Sequence, residues 1–211
     1  MNGIKAVVFD FDGTLYDKKG MSLKIIKQNL RHLRLLAATR KACTSFRGND
    51  FGSKDKLFSA LFAQIAAKTS VSPEKAQSWY YEEYIGSMIR TLKQYYKPRP
   101  KAKEVISELH KRGIAVILYS DYGLCEERVT AVGLDPSDFD KLYSSSEFGG
   151  LKPCKRAFEK MLSENGFSAD EVWLVGDSEE CDGACAEQSG AAFFPVRSDD
   201  DMIKLFKAVT A

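Results

Sequence analysis

Two aspartates separated by one residue follow an apolar stretch near the start of the chain. Residues 7–15 read VVFDFDGTL, and an apolar, β-branched run of this kind predicts a buried strand of a parallel sheet. Ligands of open α/β sheets bind at the carboxyl ends of the strands, where both acids stand. There Asp10 can attack phosphorus as a carboxylate nucleophile, and Asp12 can exchange a proton with a leaving oxygen and with water. Gly13 allows a sharp turn, and Thr14 offers a hydroxyl and an amide to a phosphate oxygen.

The segment from Asp10 to Asp17, DFDGTLYD, resembles motif I of the haloacid dehalogenase superfamily of phosphohydrolases. A strand followed by an Asp-Gly turn is common in itself. The fixed spacing of two acids, a glycine and a threonine behind a buried strand favours the catalytic interpretation. The resemblance implies that three further motifs follow in order.

A serine and a lysine fit the second and third of these motifs. Ser120 follows the apolar run 114–119, IAVILY, and resembles the motif II residue whose hydroxyl binds the transferring phosphoryl group. An alternative role for Ser120 is the N-cap of the next helix, and both roles can coexist. Lys152 precedes Pro153 at the start of a predicted helix and resembles the motif III lysine. In that role its ammonium group neutralises phosphate and neighbouring carboxylates together.

Two more acids resemble motif IV. Asp177 follows a predicted buried strand at 171–175, and a carboxylate there suits a hard divalent cation, which prefers oxygen ligands. Asp182 stands near the start of the next predicted helix, where it can orient metal-bound water or Lys152. Cys181 departs from the family pattern, because relatives often carry a polar residue such as asparagine there.

Helical patterns fill the segment between motifs I and II, and no strand is convincing there. Apolar residues recur at spacings of three and four, which predicts an amphipathic helix from Ser22 onward. Its apolar positions are Leu23, Ile26, Leu30, Leu33 and Leu36 or Ala37. A second helix fits Leu57, Leu61 and Ile65. A third is expected to begin at Ser72-Pro73 and to carry an aromatic stripe, which we attribute to packing within the helical lobe.

An all-helical insertion of this size resembles the cap that many superfamily members carry. The resemblance implies that the lobe closes over the active site, excludes water and selects the substrate. We expect specificity to reside in cap side chains that face the core and in the turn around Tyr16, Asp17 and Lys18. No motif identifies the substrate, so sugar phosphates, nucleotides and small phosphorylated acids all remain open.

Strand and helix patterns alternate through the C-terminal half, which predicts an α/β fold with a parallel, doubly wound, Rossmann-like sheet. Right-handed crossovers then bring the strand ends that carry Asp10, Ser120 and Asp177 to one edge. The stretch 97–100, KPRP, is interpreted as the return linker to the core, with Pro100 opening the next helix. The predicted domains are a catalytic core of residues 1–17 and 99–211 and a helical cap of residues 18–98.

The resemblance implies a magnesium-dependent phosphohydrolase that cleaves a small phosphomonoester through an aspartyl-phosphate. Carboxylates gathered at one edge repel one another unless a cation neutralises them, and Mg²⁺ prefers oxygen ligands. The implied nucleophile is Asp10, and the implied general acid and base is Asp12. Phosphate binding is implied for Thr14, Ser120 and Lys152. Metal binding is implied for Asp10, Asp177 and the main-chain carbonyl of Asp12, and Asp182 is expected to support these groups.

Single residues argue against other reactions known in the superfamily. Dehalogenases of the superfamily lack the second motif I acid, and phosphonate hydrolases replace it with a small residue, so Asp12 argues against both. A phosphomutase is disfavoured, because those enzymes usually have a histidine early in the cap and the first histidine here is His32. A module that binds a phosphorylated ligand or protein without turnover remains a second alternative, although it would not need both Asp10 and Asp12.

Composition limits the classes of binding partner and the cellular compartment that we expect. The 211 residues include 31 basic and 29 acidic side chains, for a net charge of +2, so bulk electrostatics favours neither nucleic acid nor an anionic membrane. No apolar run approaches the length of a membrane span, and the chain enters its first predicted strand too soon for a signal peptide. We expect a cytoplasmic protein that acts on a small phosphorylated metabolite, and we take a monomer as the starting assumption.

Five cysteines without paired spacing argue against a disulfide framework. Cys181 and Cys185 lie one helical turn apart and could share a soft metal ion. No second cysteine or histidine pair is near them in the sequence, so packing as small apolar residues is the favoured interpretation.

Overall fold

A parallel five-stranded sheet lies at the centre of the structure, a computed structural model that describes residues 3–211. Met1 and Asn2, which begin the predicted core segment, lie outside the described residues. The strands are β1 Ala6–Phe9, β2 Ala115–Ser120, β3 Lys141–Ser144, β4 Val172–Gly176 and β5 Ala192–Pro195. Their order is β3-β2-β1-β4-β5, and every neighbouring pair is parallel. The predicted α/β, doubly wound architecture is confirmed.

The register of the strands brings three motif residues to one edge. Phe9 pairs with Leu118 on one side and with Val175 on the other. The main-chain amide of Asp10 then donates to the carbonyl of Val175 at 2.8 Å. Because the strands run in the same direction, the residues that follow β1, β2 and β4 leave the sheet at the same end. The predicted clustering of the strand ends is therefore present.

Most of the segment from residue 21 to residue 95, which follows β1, is helical. Its helices are α1 Met21–Gln28, α2 Leu33–Phe46, α3 Lys54–Thr69, α4 Pro73–Ser78 and α5 Gly86–Tyr95, with a π-helical stretch Trp79–Ile85 between the last two. Ser72 caps α4 as predicted, because its hydroxyl accepts from the amide of Lys75 and Pro73 occupies the first turn. The aromatic stripe of this segment, which includes Trp79, Tyr80 and Tyr84, is buried in the protein core.

Helices cover both faces of the sheet. They are α6 Ala102–Lys111, α7 Cys125–Val132, α8 Lys155–Glu164, α9 Ala184–Ser189 and α10 Asp199–Thr210. Successive strand residues point to opposite faces, so Val7 and Phe9 of β1 join one core cluster and Ala6 and Val8 the other. The first cluster includes residues of α6, α7, α10 and the helical segment, and the second includes residues of α8 and α9.

The prediction of the first amphipathic helix places the wrong residues on its buried face. The helix stops at Gln28, and a 3₁₀ turn at Leu30–His32 precedes α2. This break shifts the buried face, since the side chains of Leu23, Leu30 and Leu33 are exposed by 66%, 62% and 46%. The buried positions of the two helices include Met21, Ile25, Leu36 and Ala42. A continuous 3.6-residue period therefore could not locate the inner face across the break.

Two boundary predictions also require correction. Helix α6 begins at Ala102 and not at Pro100, since Lys101 precedes it with a positive φ of 70°. Ser120 is not the N-cap of the following helix, because α7 begins at Cys125. The hydroxyl of Ser120 instead accepts a hydrogen bond from the side chain of Arg128.

Within residues 3–211, no helix has both the length and the apolarity needed to cross a membrane. All five cysteines are buried free thiols. The side chains of Cys181 and Cys185 are 7% and 0% exposed, which agrees with the interpretation that they pack as apolar residues.

Candidate active site

Asp10 lies at the end of β1, where its carboxylate is held from two sides. The hydroxyl of Thr14 donates to Asp10 Oδ2 at 2.8 Å, and Lys152 Nζ donates to Asp10 Oδ1 at 2.6 Å. The residue is only 6% exposed. Burial raises the pKa of Asp10 to about 6, although the positive charge of Lys152 acts against that rise. The carboxylate is therefore positioned at the floor of the site and stays mainly ionised at neutral pH.

Lys152 connects the ends of β1 and β2 with Asp182, which lies beyond β4. Its ammonium group donates to Asp10, to Asp182 Oδ1 at 2.7 Å and to the carbonyl of Tyr119 at 3.2 Å. Burial works to lower the pKa of Lys152, but the charges of Asp10 and Asp182 outweigh it and raise that pKa well above its ordinary value. The main-chain amide of Lys152 also donates to Asp121 Oδ1 at 2.8 Å, which fixes the loop that carries it. A permanent positive charge thus lies beside Asp10.

Asp12 is held by an arginine and a tyrosine. Tyr16 donates its phenolic proton to Asp12 Oδ1 at 2.6 Å, and Arg128 Nη2 donates to Asp12 Oδ2. The guanidinium group of Arg128 is fully buried, lies over the ring of Phe11, and also donates to Ser120 Oγ and to the carbonyl of Tyr122, both at 2.9 Å. Burial alone would raise the pKa of Asp12, but the charge of Arg128 and the bond from Tyr16 lower it below its ordinary value. The carboxylate form of Asp12 is therefore favoured.

Asp177 completes a group of oxygen ligands. Carboxylate oxygens of Asp10, Asp177 and Asp182 all lie within 4.8 Å of one another. Lys18 places its ammonium nitrogen 2.5 Å from Asp177 Oδ2 and 3.1 Å from the main-chain oxygen of Asp12. The ammonium group of Lys18 thus already contacts two of the predicted ligand atoms, and the three clustered side chains all offer carboxylate oxygens. This arrangement fits a hard divalent cation.

Glycine is required where motif I turns beside motif IV. Gly13 has a φ of +99°, a conformation that strains residues with a side chain. A Cβ atom at this position would stand 2.3 Å from Asp177 Oδ2. The turn therefore brings the main chain that follows Asp12 close to Asp177, and a residue with a side chain at position 13 would clash there.

A cavity of about 510 Å³ opens over these groups. Its wall includes the predicted residues Asp10, Asp12, Lys152, Asp177 and Asp182, together with side chains of the helical segment such as Met21, Ile25, Tyr84 and Met88. Thr14 and Ser120 are fully buried, and each bonds to the group beside it, Thr14 to Asp10 and Ser120 to Arg128. All seven predicted site residues thus lie around one edge of the sheet.

Sequence reasoning missed two buried arginines that support the site. Arg99 falls in the predicted linker, yet its guanidinium donates to the carbonyls of Gly13 and Thr14 at 2.9 and 3.1 Å and pairs with Asp199. No local pattern marks it. Arg128 could have been found, because it lies among the buried positions Cys125, Val129 and Val132 of α7, and an arginine on a core-facing side of a helix requires a partner.

A family model matches residues 7–196, and its description is haloacid dehalogenase-like hydrolase. The chain belongs to this family. The match covers all four motifs. The predicted superfamily is therefore confirmed.

Relatives and solved structures agree with this assignment. A phosphoglycolate phosphatase of Vibrio cholerae is 25% identical over 92% of this chain and 84% of its own length. A phosphoglycolate phosphatase of Photorhabdus laumondii is 22% identical over 84% and 74%. Together with the family match, they confirm the predicted enzyme of the phosphatase type.

Two solved structures share the fold. A 2-haloacid dehalogenase from Pseudomonas syringae has a TM-score of 0.65 at 16% identity, over 97% of this chain and 99% of that one. The hydrolase YfnB from Bacillus subtilis, bound to magnesium, has a TM-score of 0.64 at 15% identity, over 99% of both chains. At this identity the likeness concerns the fold alone.

Proposed function

We propose that the chain is a magnesium-dependent phosphatase that hydrolyses a small phosphomonoester through an aspartyl-phosphate on Asp10. The observation that carries this proposal is the buried Asp10 carboxylate, which Lys152 and Thr14 hold at 2.6 and 2.8 Å at the floor of a cavity. A carboxylate fixed in this way is pre-positioned for attack at phosphorus, and the lysine beside it can neutralise the phosphoryl oxygens.

The first step transfers the phosphoryl group to the protein. A carboxylate oxygen of Asp10 forms a bond to phosphorus while the ester bond breaks. The leaving alkoxide keeps the bonding electron pair and takes a proton from Asp12. Because Asp12 is ionised in the free protein, it must first take up that proton from water or from the substrate phosphate. Lys152 neutralises charge on the phosphoryl oxygens. Ser120 and Thr14 are proposed as hydrogen-bond donors to them, and the hydroxyl of Thr14 must release Asp10 Oδ2 to do so.

The second step frees the enzyme. Asp12 takes a proton from a water molecule, whose oxygen attacks phosphorus and displaces the Asp10 carboxylate with release of inorganic phosphate. Tyr16 and Arg128 stabilise the ionised form of Asp12 that this step needs. The Asp12 side chain is still 21% exposed, so water and substrate have access to it.

A divalent cation fits the oxygen ligands beside Asp10. The proposed ligands are the carboxylates of Asp10 and Asp177 and the main-chain carbonyl of Asp12, while Asp182 orients Lys152 through a 2.7 Å bond. When bound, magnesium would neutralise the charge of the carboxylates and the phosphoryl group. Lys18, which contacts two of these ligands, must then move aside.

The helical segment is proposed to act as the cap, with boundaries at residues 18 and 98. Its side chains form one wall of the cavity and the α/β core forms the other. Closure of such a wall over the substrate would exclude water from the first step, in which water would compete with Asp10 for phosphorus.

The test is phosphate release from a panel of phosphomonoesters, with and without magnesium. We expect magnesium-dependent release by the natural protein, no release by Asp10→Asn, and undiminished release by Asp200→Asn, a matched change of an exposed acid in α10. Release by Asp10→Asn at the natural rate would contradict the nucleophile assignment. A phosphomutase would convert a sugar phosphate without net phosphate release, and a binding module would keep its affinity for a phosphate ester after Asp12→Ala.

A further inference from the structure

Basic and acidic residues are unevenly distributed along the chain, although its net charge is only +2. Residues 18–49 and 84–103 contain 15 lysines and arginines and no aspartate or glutamate. The remaining residues contain 16 basic side chains and all 29 acidic ones. The first stretch includes α1 and α2, and the second includes α5. One part of the protein therefore has a strong positive charge that the net charge conceals.

The two acid-free stretches meet where α1 packs against α5. Gln28 Nε2 donates to Thr91 Oγ1 at 2.7 Å across this contact. Nearer the end of α5, Lys24 Nζ lies 5.3 Å from the centroid of the Tyr95 ring. Helix α1 and the end of α5 thus belong to one continuous surface.

This surface also contains most of the large apolar side chains that the protein exposes. Among residues 3–211, five such side chains are exposed, and four of them are Leu23 in α1, Leu30 in the 3₁₀ turn, Leu33 at the start of α2 and Tyr95 at the end of α5. Leu23 and Leu33 are ten residues apart, which corresponds to about 15 Å of helix. Leu30 and Leu33 project from the same side of the turn, because residues three apart eclipse in a 3₁₀ helix. The exposed leucines are therefore neighbours.

Exposed cations lie between these leucines. Lys27, Arg31 and Arg34 are exposed, and none of them forms an ion pair with any residue from 3 to 211. By contrast, Lys155 and Lys160 of α8 each pair with an acid one turn further along that helix. We call this part of the surface the basic apolar face, and it comprises Leu23, Lys27, Leu30, Arg31, Leu33, Arg34 and Tyr95.

The basic apolar face points away from the active-site cavity. Ile25 lines that cavity, and Leu23 and Lys27 each lie two positions from it, which is about 200° around the helix. The cavity wall includes none of the three leucines of the face. A partner bound to the face would therefore not occupy the active site.

We propose that the basic apolar face binds the surface of an anionic lipid bilayer. Such a bilayer offers negatively charged headgroups to the lysine and the arginines, and acyl chains directly beneath them to the leucines. Tyrosine suits the boundary between these layers, because its ring is apolar and its hydroxyl is polar. This inference does not depend on the proposed phosphatase function.

Two other partners fit the face less well. A nucleic acid would pair with the cations, but its phosphate groups offer nothing to the exposed leucines. A second copy of the chain, related by a twofold axis, would bring the same cations face to face without an acid of the face between them. The anionic bilayer is the partner that matches both the charge and the apolar side chains.

The experiment measures co-sedimentation of the whole protein with two kinds of vesicle. One kind is phosphatidylcholine alone, and the other contains about 30% phosphatidylglycerol as the anionic lipid. We expect the partition coefficient to be at least tenfold higher for the anionic vesicles, because each lysine or arginine near such a surface strengthens binding about fivefold. Binding should weaken as salt is raised, since salt screens the headgroup charge. Equal partition into both kinds of vesicle, or none into either, would overturn the proposal.

Two double variants separate the contribution of charge from that of apolar contact. Arg31→Gln with Arg34→Gln should lower the partition coefficient by about 10- to 30-fold. Leu30→Ser with Leu33→Ser should lower it by about tenfold or more, because these side chains would no longer enter the acyl layer. Vesicle binding that survives both changes, or that depends on the arginines but not on the leucines, would contradict the proposal.

Matched controls change the same kinds of side chain outside the face. Leu124→Ser replaces the fifth exposed large apolar side chain, at the start of α7. Lys141→Gln with Lys207→Gln removes two exposed cations of the α/β core. Both controls should bind the anionic vesicles as the natural protein does. A loss of binding in the controls equal to that in the face variants would show that the face is not the binding surface.

Two further measurements, made in the same buffer, detect the other partners. A short DNA duplex tests for nucleic acid, and sedimentation equilibrium of the protein alone tests for a second copy. Binding to the duplex without binding to vesicles would overturn the proposal in favour of nucleic acid. A dimer that Leu30→Ser with Leu33→Ser converts to a monomer, again without vesicle binding, would overturn it in favour of self-association.

Discussion

Replacing Arg128 by methionine tests whether a buried guanidinium holds Asp12 in its ionised and oriented form. Arg128 is fully buried, and its Nη atoms donate to Asp12, to Ser120 and to the carbonyl of Tyr122. Methionine retains a long, flexible side chain that can fill much of the space but offers no donor. The Asp12 carboxylate would then lose its charged partner while it keeps the hydrogen bond from Tyr16.

The expected loss of stability follows from the burial of the pair. Removing one partner of a buried ion pair costs about 3 to 5 kcal/mol, because the other charge is left uncompensated. Asp12 is 21% exposed and retains the Tyr16 bond, so we expect about 2 to 3 kcal/mol. For a chain of this length that loss lowers the melting temperature by about 4 to 12 °C.

A double-mutant cycle with Asp12→Asn isolates the pair from the other contacts of Arg128. Urea unfolding at pH 7.5 should give a coupling energy of about 2 kcal/mol. The matched control is the pair Arg156 and Asp50, whose side chains are 37% and 42% exposed. Such a surface pair should couple by less than about 1 kcal/mol. A coupling for Arg128 and Asp12 no larger than that of the control pair would refute the reasoning.

The pH dependence of this coupling has a definite sign. The pKa of Asp12 is lowered in the folded protein, so the folded state holds its proton less tightly than the unfolded state does. The stabilisation is then fully present above the ordinary aspartate pKa of about 3.9 and is lost as the pH falls through the lower, folded value. The coupling should therefore be the same at pH 7.5 and pH 5.5.

Two further predictions concern the cation site and the nucleophile. Lys18→Met removes the ammonium group that contacts Asp177 and the Asp12 carbonyl, and loss of a competitor worth about 1 kcal/mol should tighten magnesium binding about fivefold by calorimetry. Lys19→Met is the control, and unchanged affinity in Lys18→Met would contradict this role. Burial raises the pKa of Asp10 to about 6, so ionisation of this carboxylate destabilises the metal-free fold progressively from about pH 4 to pH 6 and by a constant amount above pH 6. Asp10→Asn in EDTA should melt higher than the natural protein at pH 8, with a smaller difference at pH 5, and a lower melting temperature at pH 8 would exclude this account.

Local patterns in the sequence determine the strands and the ends at which the motif acids stand. The alternation of buried strands with helices specifies a parallel sheet, and the carboxyl ends of parallel strands meet at one edge. That rule by itself is enough to bring Asp10, Ser120 and Asp177 close together. Lys152 and Asp182 follow from the family resemblance instead, because a single lysine or aspartate in a loop carries little signal of its own.

Tertiary structure alone decides which charges meet. Arg128 pairs with Asp12 across 116 positions of sequence, and Arg99 reaches the carbonyl of Gly13 across 86. Lys18 could be assigned to the turn near the site, but its contact with Asp177 depends on how two loops approach each other. The exposure of Leu23 likewise depends on the helix break, because the break shifts the face that packs against the core. Hydrophobic periodicity indicates which face of a helix or strand packs against the core. Ion pairs and loop contacts depend instead on three-dimensional distances between segments, which local sequence does not encode.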